Sequence, residues 1–163
     1  MLVQGLGSVG GPLAEELVAA GARVLVSDVV PKGSAGTESV PAEEVIGTEC
    51  DVYAPCALGG TLSAETIPRL KCRIVAGSAN NQLAEPEDAE RLRAAGILYA
   101  PDFVINAGGV LNSLGAELLG WTREQIEARL AGIGDTLEEI YAKADAEGFT
   151  TEVAAEHLAR TRF

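Results

Sequence analysis

Six residues near the start, Gly5-Leu6-Gly7-Ser8-Val9-Gly10, restrict this chain more than any other segment. Glycines at this spacing are a weak signal alone and a strong one between a strand and a helix. The apolar stub Met1–Gln4 precedes the run, and Val9, Leu13 and Leu17 follow at four-residue spacing, one face of a helix. Pro12 suits the first turn of that helix, where a missing N–H costs nothing, and Gly21 supplies a stop. Arg23–Asp28 then reads as a buried strand ending in an acid. In a strand–turn–helix unit, Gly5 permits the sharp turn, Gly7 lets a pyrophosphate approach the backbone, and Gly10 lets helix and strand pack closely. The helix start turns unpaired N–H groups and a partial positive charge toward phosphates. Asp28, 18 residues after Gly10, falls where a carboxylate accepts hydrogen bonds from adenosine ribose hydroxyls. Its charge opposes a 2′-phosphate, so NAD is expected rather than NADP. The plainer alternative is a tight turn followed by a solvated acid.

The rest of the chain continues the alternation. Val29–Ala42 is rich in Pro, Gly, Ser and Thr and has no helical period. Glu43–Cys50 reads as a short helix, and Asp51–Ala54, Arg73–Ala76 and Ile97–Ala100 as strands. Pro86–Ala95 reads as a charged helix stopped by Gly96, with Glu85, Glu87 and Asp88 as its solvated start. A further helix follows Asn106. Thr122 and Gln125 fit a capping box, opening a long helix through Ile126, Leu130, Ile133, Leu137, Ile140 and Ala144 that Gly148 closes. That stripe is a face packed on the chain itself or a coiled-coil seam. Thr150 or Thr151 caps a last helix through Leu158. Strands alternating with helices predict an α/β fold, a Rossmann-type, doubly wound, mostly parallel sheet with helices on both faces. Residues 1–163 are expected to form one domain.

Three later loops, Pro55–Gly60, Gly77–Gln82 and Pro101–Gly109, fall just beyond strand C-termini, where open α/β sheets bind ligands. Asn80 and Asn106 each offer donors and acceptors there, for a ligand or for their own turns. Cys50 and Cys56 are a thiol or ligand pair on one reading and buried small hydrophobes on the other. His157, the one histidine, excludes a multi-histidine metal site. A net charge of −12 argues against nucleic acid and against an anionic membrane surface. No run reaches the roughly 18 apolar residues of a spanning helix. Three cysteines in 163 residues are no disulfide framework, so a reducing, cytoplasmic setting is expected.

Four blocks go beyond a generic fingerprint: Val3–Gly10, Asp51–Gly60, Ile74–Leu83 and Gly96–Gly109. In content and order the chain resembles the NAD-binding domain of the Glu/Leu/Phe/Val dehydrogenases, most closely the leucine, phenylalanine and valine branch. The resemblance implies reversible oxidative deamination of a branched-chain or aromatic L-amino acid to the 2-oxo acid, with hydride passing to NAD. It implies that Gly5, Leu6, Gly7, Ser8, Val9 and Gly10 hold the pyrophosphate and Asp28 the adenosine ribose, with Val29 also a cofactor-binding residue. It places Ala57 by the adenine side, Ala79 and Asn80 by the nicotinamide riboside, and Asn106 by the nicotinamide or the substrate carboxylate. It also implies that the residues after Gly109 help form the substrate side-chain pocket.

The family carries its catalytic lysines and aspartate in an N-terminal substrate domain, whereas this chain starts at the fingerprint. Lys32, Lys71 and Lys143 lie in no matching motif, so no catalytic residue is carried over and the chain alone is expected to be inactive. Its amino-acid or 2-oxo-acid substrate would be shared with that absent domain, and self-association into a homo-oligomer is a further expectation. The family also has a helix after the strand ending at Asp28. Here Val29–Thr37 leaves too little chain for one, and a loop is expected before a strand at Glu38–Val40. Two other readings stand beside the enzyme. One is a non-catalytic nucleotide-binding or regulatory module. The other, a 2-hydroxy acid dehydrogenase, needs a His–carboxylate pair, and His157 lies on the last helix.

Overall fold

The computed structural model describes residues 1–30, 33 and 35–162. Six strands, β1 (Leu2–Gln4), β2 (Val24–Ser27), β3 (Thr37–Ser39), β4 (Val52–Pro55), β5 (Ile74–Val75) and β6 (Leu98–Tyr99), form one sheet in the order β3-β2-β1-β4-β5-β6. Every pairing is parallel, with Val3 of β1 opposite Val26 on one side and Ala54 on the other. Order and direction are those of the Rossmann-type doubly wound fold. The expected "mostly parallel" sheet is wholly parallel among the described residues.

Alternate residues of each strand face opposite sides, and each side is covered. Helix α1 (Gly10–Ala19) lays Ala14, with Leu13, Leu17 and Val18, on Val3, Val24, Val26 and Ala54. On the opposite side Leu2, Tyr53, Val75 and Tyr99 pack with Leu92 of α2 (Asp88–Ala94) and with Val45, Leu62 and Ile67 from the connections. The C-terminal third is helical: α3 (Asp102–Ile105), α4 (Gly108–Glu117), α5 (Arg123–Glu147) and α6 (Thr151–Arg162). Ile140 and Ala144 of α5 bury against Ala154, Ala155 and Leu158 of α6. The stripe is thus a self-packing face, fully buried at Ile126, Ile140 and Ala144 and half-buried between.

The expected stops and caps are in place. Gly21, Gly96 and Gly148 all have positive φ just past a helix, a conformation that costs glycine little. Thr122 Oγ1 accepts from Gln125 N at 3.3 Å while Gln125 Oε1 accepts from Thr122 N at 2.9 Å, completing the capping box. Thr150 Oγ1 accepts from Val153 N at 3.2 Å, so Thr150 is the cap of α6, which runs on to Arg162.

Elsewhere the fold departs from the sequence reading. Val9 is 56% exposed, because α1 begins one residue later and Val9 is its N-cap. The short helix expected over Glu43–Cys50 is a 3-10 helix that spans Ala42–Gly47 and stops before Cys50. Asp88 is no solvated helix start: it is buried, accepting from Glu85 N at 2.9 Å and from Arg91 Nη1 at 2.7 Å. The helical turn α3 lies inside Pro101–Gly109, which was expected to be a loop.

Between β2 and β3 none of the described residues is helical, as expected from their Pro and Gly content. Pro31, Lys32 and Ser34 of that segment lie outside the described residues. β3 begins at Thr37, one residue before the expected strand and inside the expected loop. The short connection still delivers β3 parallel to β2. Gly36, at φ +82°, makes the approach possible, since a Cβ there would sit 2.8 Å from Val18 Cγ1. The half-buried thiols of Cys50 and Cys72 pack on the Tyr53 cluster and that of Cys56 on the Val3 cluster. Burial pushes the Cys72 thiol up to about 11, which suits hydrophobes rather than ligands. His157 packs edge-on against Phe149. No helix of the described residues is long and apolar enough to cross a membrane.

Candidate functional site

The order in which strands are added to the sheet reverses between β1 and β4, and at that switch point the glycine turn leaves β1. Gly5 has φ +94°, and a Cβ on it would lie 2.7 Å from Ala57 Cβ and 2.9 Å from Ala57 N. Gly10 is tighter: its Cβ would fall 1.9 Å from Gly5 O. Around Gly7 a Cβ would meet nothing within 4 Å. Two glycines therefore close the scaffold, and the middle one faces open space.

The turn is tied to the end of β2. Asp28 Oδ2 accepts from Leu6 N at 2.6 Å and Oδ1 from Val30 N at 3.0 Å. Two main-chain donors thus orient the carboxylate at the mouth of the glycine turn. Gly5, Gly7, Asp28, Val29 and Ala57 line one cavity of about 370 Å³, with Gln4, Ser27, Ala42, Cys56 and Leu58. A second cavity of about 430 Å³ adjoins it over the ends of β2 and β3, sharing Ser27, Asp28 and Ala42. Val29 and Leu58 are 90% and 79% exposed at the rim. Ser8 and Val9 are exposed on the turn, and α1 starts with no side-chain cap and no acid in its first turn.

The other loops follow in sequence along the C-terminal edge of the sheet, joined mainly through backbone. Cys56 N donates to Gln4 O at 2.7 Å, Ala79 N to Pro55 O at 2.9 Å, and Gly60 N to Asn81 O at 2.7 Å. Gly77 and Gly59 permit this: a Cβ would stand 2.2 Å from Pro55 O at the first and 2.5 Å from Asn80 O at the second. Asn80 and Asn106, 26 residues apart, meet where Asn106 Nδ2 donates to Asn80 Oδ1 at 2.6 Å. Ala79 is buried, its carbonyl accepting from Gln82 Nε2 at 3.0 Å.

The candidates thus form two neighbouring groups, the glycine turn with Asp28, Val29 and Ala57, and the Asn80–Asn106 pair. Gln4, Ser27, Ala42 and Leu58 were not singled out from sequence; only their positions at or after strand ends could have flagged them. Asp102 and Gln82 lie in two of the predicted ligand loops, but no local pattern sets either apart.

Beside Asp102 stands Glu152 of α6. Burial, then the Asp102 and Glu156 carboxylates, push its carboxyl up to about 7 from an ordinary 4.5. The folded chain therefore holds a proton that the unfolded chain has released. Stability falls as pH rises from about 4.5 to about 7, and the penalty is complete above that window. Glu152→Gln is expected to raise the thermal midpoint at pH 8, worth about 1 kcal/mol given the solvent screening of a half-exposed group. It should change little at pH 4. Thermal melts of both proteins across pH 4–8 measure this, and a pH-independent difference contradicts it.

Sheet order, glycine turn and acid define a Rossmann-type α/β domain of the dehydrogenase kind. Residues 26–162 match the Glutamate/Leucine/Phenylalanine/Valine dehydrogenase family. Leucine dehydrogenase of Bacillus cereus is 44% identical over 98% of this chain and 45% of its own length. Phenylalanine dehydrogenase of Bacillus thermotolerans is 40% identical over 98% of this chain and 44% of its own. The crystal structure of L-tryptophan dehydrogenase from Nostoc punctiforme superposes with a TM-score of 0.94 at 42% identity, covering 99% of this chain and 51% of that one. The chain belongs to the Glu/Leu/Phe/Val amino acid dehydrogenase family, and it spans about half the length of these relatives.

Proposed function

We propose that this chain is the NAD-binding domain of an L-amino acid dehydrogenase, acting in reversible oxidative deamination of a branched-chain or aromatic amino acid. The observation that carries this is the open space at Gly7, bounded by the uncapped start of α1 and by Asp28. The residues present fit a dinucleotide: main-chain N–H groups and the positive helix end suit a pyrophosphate, and the cavity beside Asp28 suits an adenosine. When bound, the dinucleotide supplies the hydride acceptor. Gly5 to Gly10 hold the diphosphate, with Leu6 fixed by its bond to Asp28. Asp28 and Val29 hold the adenosine ribose, and Ala57 with Leu58 flanks the adenine side. Asn80 and Asn106 orient the nicotinamide half and the substrate carboxylate, their mutual bond leaving Asn80 Nδ2 and Asn106 Oδ1 for that task. The catalytic lysines and the second wall of the cleft belong to a substrate domain outside these 163 residues.

The test is calorimetric titration with NAD⁺ and NADP⁺. NAD⁺ is expected to bind more tightly, because the Asp28 carboxylate accepts ribose hydroxyls and repels a 2′-phosphate. Asp28→Ala should weaken NAD⁺ by about 1–3 kcal/mol, the worth of hydrogen bonds to a charged group. NADP⁺ binding as tightly as NAD⁺ to the unmodified chain would refute this assignment of Asp28.

A further inference from the structure

We infer that Asp102 is a positioning residue: it holds the Asn80–Asn106 amide pair in register, and so governs binding of the nicotinamide half separately from the adenosine half. The inference rests on the NAD-binding reading above. Its basis is a clamp between two segments. Helix α3 is a single turn, in which Asn106 N donates to Asp102 O at 3.0 Å. Both ends of that turn are fastened to the loop after β5. At its start Asp102 Oδ2 accepts from Gln82 N at 2.8 Å. At its end Asn106 Nδ2 reaches Asn80 Oδ1.

Each half of the clamp is braced from behind. Tyr99 OH donates to Asp102 Oδ2 at 3.2 Å and accepts from Asp102 N at 3.3 Å. The side chain of Gln82, fully buried, donates to Gly77 O at 2.8 Å and to Ala79 O at 3.0 Å, closing the loop that presents Asn80. Hydrogen bonds to an ionised acceptor are the stronger kind, so the carboxylate of Asp102 is the strongest joint in the clamp. Without it, the Asn80–Asn106 amide bond is the hydrogen bond left between that turn and the loop among the described residues, and it is solvent-exposed. An exposed amide–amide bond competes with water and orients little by itself.

The test compares two ligands on the chain as it stands. NAD⁺ spans both groups of residues, whereas ADP reaches only the glycine turn and Asp28. Asp102→Ala is expected to weaken NAD⁺ by about five- to twentyfold, the loss of a charge-assisted bond. ADP should change by less than about twofold, its contacts being distant. Asp102→Asn keeps an acceptor for Gln82 N and should restore NAD⁺ affinity in large part. Tyr99→Phe, which removes the hydroxyl that braces Asp102 Oδ2 and Asp102 N, should give a smaller loss of the same NAD⁺-selective kind and serves if Asp102→Ala folds poorly. The ligand-free chain gives an independent reading: the Asn106 side-chain amide signal in a ¹⁵N spectrum should move toward that of a free asparagine in Asp102→Ala. An unmoved signal, or equal weakening of NAD⁺ and ADP in a folded variant, overturns the inference. Failure of the unmodified chain to bind either ligand would count against the NAD reading instead, and the amide signal would still decide whether Asp102 sets the pair.

Discussion

Purified alone, this chain is expected to give no amino-acid-dependent NADH formation above background. Oxidative deamination needs a base for the proton and cationic groups for the substrate carboxylate. The described lysines stand elsewhere: Lys143 is paired with Glu147 at 2.7 Å on α5, and Lys71 precedes β5, at the edge of the sheet opposite the glycine turn. Alignment of an amino acid against the nicotinamide needs a second wall as well, and such alignment accounts for about 7–11 kcal/mol of a barrier. An NADH-absorbance assay with leucine, phenylalanine, valine and glutamate at alkaline pH makes the comparison. Activity appearing only on addition of a separately expressed substrate domain is the expected result. Turnover by the chain alone near that of an intact family dehydrogenase would overturn the assignment of the chemistry to residues outside it.

Gly10→Ala is expected to destabilise the fold by about 3 kcal/mol or more, beyond ordinary overpacking and a large share of a typical domain's 5–15 kcal/mol. The added methyl would stand 1.9 Å from Gly5 O and 3.0 Å from Cys56 Cβ. The nearer contact is backbone, so no rotamer change relieves it. Helix α1 would have to lift from the sheet, exposing Val3 and Ala54, both fully buried. Gly7→Ala is the matched control: its Cβ meets nothing, so stability should change by less than about 1 kcal/mol, close to the glycine-to-alanine backbone effect. Binding of NAD⁺ should nevertheless fall, because the methyl occupies the approach to the backbone. Urea unfolding and NAD⁺ titration of both variants test the pair. Equal stability of the two variants would show that Gly10 is not the packing constraint.

Gly5, Gly10, Gly21, Gly96 and Gly148 announce themselves in sequence because the backbone positions they fill admit little else. Positive φ or a carbonyl at 1.9 Å leaves glycine as the residue that fits, and the demand is local. The capping box at Thr122 is legible for the same reason: both of its partners sit within four residues. Asp102 and Asp88 are different. Each is a common acid after a proline or in a charged helix start, and its importance lies in partners that the fold brings to it. Asp102 is recognised by Gln82 and Tyr99, Asp88 by its burial against Glu85 N and Arg91. The Asn80–Asn106 contact spans 26 residues, and no local pattern specifies it. Val9 fails for a finer reason: a helix that starts one residue later than its periodicity suggests turns its first apolar residue outward.

The loops at the head of the sheet are fastened to each other largely by main-chain bonds and glycine contacts, while several side chains lining the Asp28 cavity project without anchoring it. Val29, Ala57 and Leu58 are exposed, and none of them fixes a neighbouring loop by its side chain. Scaffold and surface chemistry are therefore separable for the protein engineer. A small library at these three positions, with Asp28 kept because it holds Leu6 N and Val30 N, can recast charge and shape where an adenosine would lie and leave the backbone frame intact. A library drawn across Gly5, Gly10, Gly59 and Gly77 would mostly return chains that do not fold.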